Sequence, residues 1–162
     1  MHLVVVESPA KAKTIEGYLG SDYKVIASLG HIRDLPSSEG SVKPDEDFKM
    51  IWELGDKGKK QAKTLNEAVK NSESLILATD PDREGEFIAW RLSELLSEFG
   101  DIQRITFNEI TESAIKDALK AAGTVDMNLV DAAKVRRFMD RLIGYRASRF
   151  SRSWSLSSMG RV

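Results

Sequence analysis

The sequence predicts an α/β fold, with a parallel-dominated sheet covered by helices on both faces. Three observations predict it. Short apolar runs at 2–6, 23–28, 74–79 and 103–107 have the length and β-branched content of buried strands. Amphipathic stretches of helical period stand between and after them. The two kinds alternate along the chain, the pattern of a sheet wound with helices.

"HLVVV" (2–6) is apolar almost throughout, as a strand covered on both faces must be. In "ESPAKAKTIEGYLG", Ser8 is placed to cap a helix, Pro9 to begin it and Gly20 to end it, with Ile15 and Leu19 inward. "YKVIAS" (23–28) is the second strand, and "LGHIRDLP" a turn-rich connection. Residues 36–47, polar and carrying two prolines, read as a mobile loop, and "FKMIWEL" (48–54) as a strand. A helix follows from Asp56, with Ala62, Leu65 and Val69 inward. "SLILAT" (74–79) is a core strand. Residues 85–100 form a helix on an Ile88, Leu92, Leu95, Leu96 and Phe99 stripe, stopped by Gly100. After the strand at 103–107 come helices at 111–123, with Ala114, Ile115, Ala118, Leu119 and Ala122 inward, and at 126–145, capped by Asp126. The Arg- and Ser-rich tail shows little amphipathic order.

Composition narrows the chemistry. A 162-residue chain that is 41% hydrophobic and 30% charged has enough apolar material for a core. Without cysteine there is no disulfide, thiolate nucleophile or thiolate metal site, and two histidines make zinc a poor fit. "MHLVVVESP" is too short in apolar length for a signal peptide or a membrane span, so the expected address is the cytoplasm. Eight basic residues against two acidic ones leave residues 131–162 at +6, so the other 130 sum to −7. The expectation is an acidic body with a basic end suited to phosphates.

Two acidic features stand at strand ends, where open α/β sheets form sites. Glu7 follows the first strand; Asp80 and Asp82, in "ATDPDREGE", follow the strand at 74–79. Extended residues two apart point the same way, so Asp80 and Asp82 can converge and Glu84 can join them. An all-oxygen set suits Mg²⁺. The competing role for these acids is to cap the following helix and meet its positive end, which is the reading adopted for Glu86. Lys11 falls in the first turn of a helix, where anions rather than cations are favoured. A phosphate between lysine and helix would account for it, and Glu7 beside that phosphate would be placed for general acid or base work.

"VVVESPAKAKTIEGYLG", "GHIRDLP", "ATDPDREGE", "FNEIT", "RRFMDRLIGY" and the closing "GRV" occur in this order. On these motifs the chain resembles the N-terminal part of bacterial type IA DNA topoisomerases, over nearly its whole length apart from 36–47. The resemblance implies a Toprim fold for residues 1–125 and, for 126–162, the start of a helical domain that grips single-stranded DNA. It implies relaxation of negatively supercoiled DNA by single-strand cleavage through a 5′-phosphotyrosyl link, strand passage and religation, with Mg²⁺ and without ATP.

Carried over residue by residue, Asp80, Asp82 and Glu84 would hold Mg²⁺. Glu7 would protonate the leaving 3′ oxygen, Lys11 would contact the scissile phosphate, and His31 would stand near the reaction. Arg137, Asp140, Tyr145, Ser158 and Arg161 would line the DNA groove. Arg137 and Arg141, one helical turn apart, are spaced to track successive phosphates, and Tyr145 to stack on an unpaired base. The chain departs from the family in lacking its tyrosine motif, since Tyr18, Tyr23 and Tyr145 stand in other contexts. It therefore reads as a fragment, inactive alone, whose partners are a single-stranded region of DNA and the remaining domains of the same polypeptide. A monomer, associated with the nucleoid and not with a membrane, is expected. The alternatives are another Toprim enzyme, such as a primase, an OLD-type nuclease or a type II topoisomerase, and a non-catalytic DNA-binding module.

Overall fold

Leu3, Val4, Val5 and Val6 have no exposed surface. A strand with both faces covered must lie inside a sheet, and this one, β1 (His2–Val6), is flanked on both sides. The computed structural model describes residues 1–29 and 56–154, with four paired segments between them; side chains are described for 1–29, 56–144 and 147. The main sheet has four strands in the order β2-β1-β7-β8, all parallel. Here β2 is Tyr23–Ala27, β7 is Ser74–Leu77 and β8 is Ile102–Arg104. The four paired segments are β3 (Arg33–Asp34), β4 (Val42–Lys43), β5 (Lys49–Met50) and β6 (Glu53–Leu54). They form two antiparallel ribbons, β3 with β6 and β4 with β5.

Alternation along β1 sorts the core into two halves. Leu3 and Val5, with Leu75 and Leu77, pack against α2 (Asp56–Lys70) and α3 (Arg83–Leu95) through Leu65, Val69, Ala89 and Leu92. Val4 and Val6, with Ile76 and Ala78, face α1 (Pro9–Leu19) and α4 (Glu112–Lys120) through Ala12, Ile15 and Ile115. Each fully buried side chain of this kind contributes roughly 1.5–3 kcal/mol through the water it sheds. The long helix α5 (Met127–Trp154) packs along α3, with Val130 and Ala133 fully buried.

Capping follows the sequence at α1, whereas the helix expected over 111–123 runs Glu112–Lys120. The Ser8 hydroxyl accepts from Lys11 N at 3.4 Å, and Gly20, at φ 78°, ends α1 while donating to Glu16 O. Thr111 caps α4. Other boundaries differ from expectation. The helix expected at 85–100 begins at Arg83, because the Asp82 carboxylate caps it, and closes at Leu95 before a 3₁₀ turn over Ser97–Phe99 that Gly100 ends. The single strand expected at 48–54 is two short strands serving different ribbons. Val42–Lys43, expected within a loop, pairs with one of them; the remainder of 36–47 lies outside the described residues. The strand expected at 103–107 is shorter, although Ile105 N still donates to Leu77 O at 2.9 Å. The helix expected to stop near residue 145 continues to Trp154, since no proline follows Pro81 and Gly144 is buried within the helix.

The turn from β7 into α3 leaves no room at Gly85. A Cβ there would lie 1.9 Å from the Asp80 carbonyl oxygen and 2.7 Å from its carbon. The same glycine donates its N–H to Asp82 Oδ1 at 2.7 Å and accepts at its carbonyl from the Thr79 hydroxyl at 2.7 Å. Gly85→Ala must therefore push α3 away from the strand end. A loss of about 1–3 kcal/mol is expected, read as a lower midpoint of denaturant unfolding.

Candidate functional site

The C-terminal ends of β1 and β7 are neighbours, so the residues that leave them meet. Glu7 Oε1 accepts the backbone N–H of Asp80, and Glu7 Oε2 lies 3.3 Å from Lys11 Nζ. Lys11 Nζ in turn lies 2.5 Å from Asp80 Oδ1. One ammonium thus bridges two carboxylates delivered by two strands. Desolvation alone would lower the lysine's pKa. The hydrogen bond to Asp80 and the charges of Glu7 and Asp80 outweigh it, and hold the ammonium above its ordinary 10.5. The expectation for Lys11 is a cation at a helix N-terminus facing a phosphate; in the structure two carboxylates, Glu7 and Asp80, account for the cation at that position.

The rest of the acidic stretch is spoken for differently. Asp82 caps α3, with backbone φ −115° and ψ 174°. Glu84 Oε2 lies 3.1 Å from Arg137 Nη2, reaching from α3 to α5. Glu86 is buried against Arg104, whose Nη2 is 2.7 Å from Glu86 Oε1. Asp80, Asp82 and Glu84 offer only oxygen, the donor Mg²⁺ prefers. Among the described residues, however, no three acidic or histidine side chains gather around one point. The expected three-carboxylate cluster is thus not assembled in this arrangement. The physical reason is that a lysine, a helix terminus and an arginine each engage one of the three. Asp80 and Asp82 alone still match the one or two carboxylates that a largely hydrated Mg²⁺ takes.

Arg104 is the residue that sequence reasoning passed over, and Glu86 the one whose partner it missed. Arg104 Nε donates to Glu86 Oε1 at 2.8 Å. Its Nη1 donates to the carbonyls of Leu77 (3.2 Å), Thr79 (2.8 Å) and Ile105, and its Nη2 to the carbonyl of Asp80 at 2.9 Å. The other Glu86 oxygen accepts from Asp126 N at 2.9 Å. The available signal was an arginine within the otherwise apolar run "QRITF".

The expected DNA-groove residues fall into three groups. Arg137 points into the α3–α5 seam; besides Glu84, its guanidinium lies 4.5 Å from the centre of the Phe87 ring. It does not stand outward to track phosphates with Arg141, because α3 presents a carboxylate and a ring face to it. Lys134 joins the seam over Trp90, 3.8 Å from the ring centre. Asp140 is exposed on α5. Tyr145 lies on α5, but its side chain, like His31, Ser158 and Arg161, falls outside the described residues.

The Lys11 bridge has a pH signature. A lysine titrating higher in the folded than in the unfolded chain adds stability that is full below 10.5 and fades as pH rises through its raised value. The stability advantage of the wild type over Lys11→Met is expected to shrink above that pH in denaturant titrations. An advantage that stays constant there would contradict the bridge.

Residues 2–110 match the Toprim domain family. The chain is 53% identical over 152 residues to DNA topoisomerase 1 of Zymomonas mobilis, which covers 91% of this chain and 12% of that protein. It is 49% identical over 154 residues to DNA topoisomerase 1 of Rickettsia bellii, covering 91% of this chain and 19% of the relative. It superimposes on full-length topoisomerase I from Thermotoga maritima with a TM-score of 0.88 and 41% identity, over 98% of this chain and 27% of that one. It thus spans less than a third of the length of each of these relatives. With the matched residues spanning the four-stranded sheet with α1, α2 and α3, and the acids at the ends of β1 and β7, the chain belongs to the Toprim domain family.

Proposed function

We propose that this chain is the metal- and phosphate-handling part of a type IA DNA topoisomerase. In this reading the whole enzyme relaxes negatively supercoiled DNA by cutting one strand, passing another and resealing, without ATP. The observation that carries the reading is the meeting of Glu7, Lys11 and Asp80 where β1 and β7 end. An acid, an ammonium and a second carboxylate gathered in this way would be able to reach a single phosphate, which supports the reading. Relatives identical to this chain at about half of the aligned positions are named DNA topoisomerase 1, which supports the same reading.

Each group then has a task. Lys11 turns from its carboxylates to a non-bridging oxygen of the scissile phosphate, beside the N-terminal N–H groups of α1. A tyrosine oxygen, its own proton released to solvent, forms a bond to phosphorus as the bond to the 3′ oxygen breaks, and Glu7 gives that leaving oxygen its proton. Religation reverses both, with Glu7 taking the proton back. Asp80 and Asp82, and Glu84 once it leaves Arg137, would hold Mg²⁺, which supplies positive charge to orient the DNA backbone. His31 is assigned to the reaction's surroundings. Asp140, Tyr145, Ser158 and Arg161 are assigned, with Arg137, to the single-stranded DNA. The remaining domains of the polypeptide complete the groove, and the enzyme works as a cytoplasmic monomer on the nucleoid.

The nucleophile is assigned to those other domains. Tyr23 begins β2, at the end of the sheet opposite the site, and Tyr18 lies in the last turn of α1, away from Lys11. Both are half-buried against the core. Among the described residues, no helix is long and apolar enough to cross a membrane.

The 162-residue chain alone is expected to leave supercoiled plasmid unchanged with Mg²⁺ present. In an intact protein carrying this segment, Asp80→Asn with Asp82→Asn should abolish Mg²⁺-dependent plasmid relaxation on agarose gels. Relaxation at the wild-type rate by the double variant would remove the metal assignment, and relaxation by the isolated chain would remove the assignment of the nucleophile.

A further inference from the structure

The seam between α3 and α5 joins an acid of the strand-end stretch to an arginine of the basic helix. Glu84, in the first turn of α3, is paired at 3.1 Å with Arg137 of α5. The pair is lopsided: the glutamate side chain is 42% exposed and the arginine 16%. The guanidinium is steadied by the Phe87 ring beneath it, and Lys134 over Trp90 anchors the helix one turn earlier. Arg137 is therefore held against Glu84 by the packing of α5, and not by a chance surface encounter. Lys11 on Asp80 repeats the arrangement at the strand end. Two acids assigned to a divalent cation thus carry protein cations in its place.

We propose that Arg137 is an exchangeable internal occupant of Glu84, and that single-stranded nucleic acid and a divalent cation bind cooperatively by displacing it from opposite sides. This rests on the reading that Glu84 takes part in cation binding. A guanidinium close to a carboxylate repels an incoming divalent cation, and it neutralises the charge that would attract one. An acceptor on nucleic acid, whether phosphate oxygen or base edge, offers Arg137 an alternative partner. As Arg137 moves to that acceptor, the compensating charge it held beside the Glu84 carboxylate moves away with it. By linkage, the cation must then raise the affinity for nucleic acid by the factor through which nucleic acid raises the affinity for the cation.

The exchange can be tested without any catalytic readout. In chelator-containing buffer, binding of a fluorescent single-stranded oligonucleotide is followed by anisotropy. Glu84→Gln should tighten binding more than Glu67→Gln, a charge-matched change on an exposed residue of α2, because it also weakens the hold on Arg137. The gain should vanish in the Glu84→Gln, Arg137→Met double variant relative to Arg137→Met alone. Methionine retains the apolar contact with Phe87, and circular dichroism with thermal melting checks that α5 stays docked.

In parallel, Mn²⁺ binding is read by electron paramagnetic resonance. Arg137→Met should tighten Mn²⁺ about fivefold or more without oligonucleotide, and should reduce the tightening that oligonucleotide produces in the wild type. The exchange is overturned if Glu84→Gln is no better than Glu67→Gln, or if its gain survives without Arg137. It is also overturned if the wild type binds Mn²⁺ and Arg137→Met leaves that affinity unchanged, an outcome that leaves the metal reading intact. Absence of Mn²⁺ binding by the wild type, with and without oligonucleotide, overturns the cooperativity and the metal reading together.

Discussion

Arg104 and Glu86 form a buried guanidinium–carboxylate pair on which the geometry of the site depends. Neither side chain is more than a few per cent exposed. Such a pair is tolerated in a core only when the remaining donors and acceptors are also met. Here the guanidinium spends them on the carbonyls of Leu77, Thr79, Asp80 and Ile105, and the second carboxylate oxygen takes the N–H of Asp126. A single ionic contact therefore fixes the end of β7, the end of β8, the first turn of α3 and the start of α5. The acids of 80–84 are displayed on a backbone clamped from below.

Much of this was legible in the sequence, because it rests on local rules. Burial of both faces of β1 follows from an unbroken apolar run, and the α1 cap from Ser8 standing before helical periodicity. The meeting of Glu7 with Asp80 follows from strand ends in a parallel sheet. What escaped was non-local. Nothing near Arg104 in sequence announces Glu86, eighteen positions earlier, as its partner. The split of 48–54 between two ribbons depends on partners at 33–34 and 42–43 that periodicity does not reveal. The acidic stretch divides its work, since Asp82 caps the helix while Asp80 turns to Lys11. Position relative to the helix start, two residues earlier than periodicity implied, separates them.

The seam of α3 and α5 gives a basic helix a structural reason for its charge. Cations at 134 and 137 lie over aromatic rings of α3, so part of the positive excess of the C-terminal stretch is used in docking one helix on another. A count of charge along the sequence assigns all of it to an external partner. The folded chain divides it, with Arg137 turned inward and Asp140 left on the outer surface of the same helix.

Glu7 and Asp80 are 73 positions apart along the chain, yet the ladder between β1 and β7 sets them side by side. The register Val5↔Leu77 is a property of two short strands and owes nothing to the path that joins them. Along that path lie the two small antiparallel ribbons, outside the main sheet. An architecture of this kind separates what must be kept from what is open to change. Segments of the excursion can be lengthened, shortened or exchanged in evolution or by engineering, and the two carboxylates will still arrive at the same place.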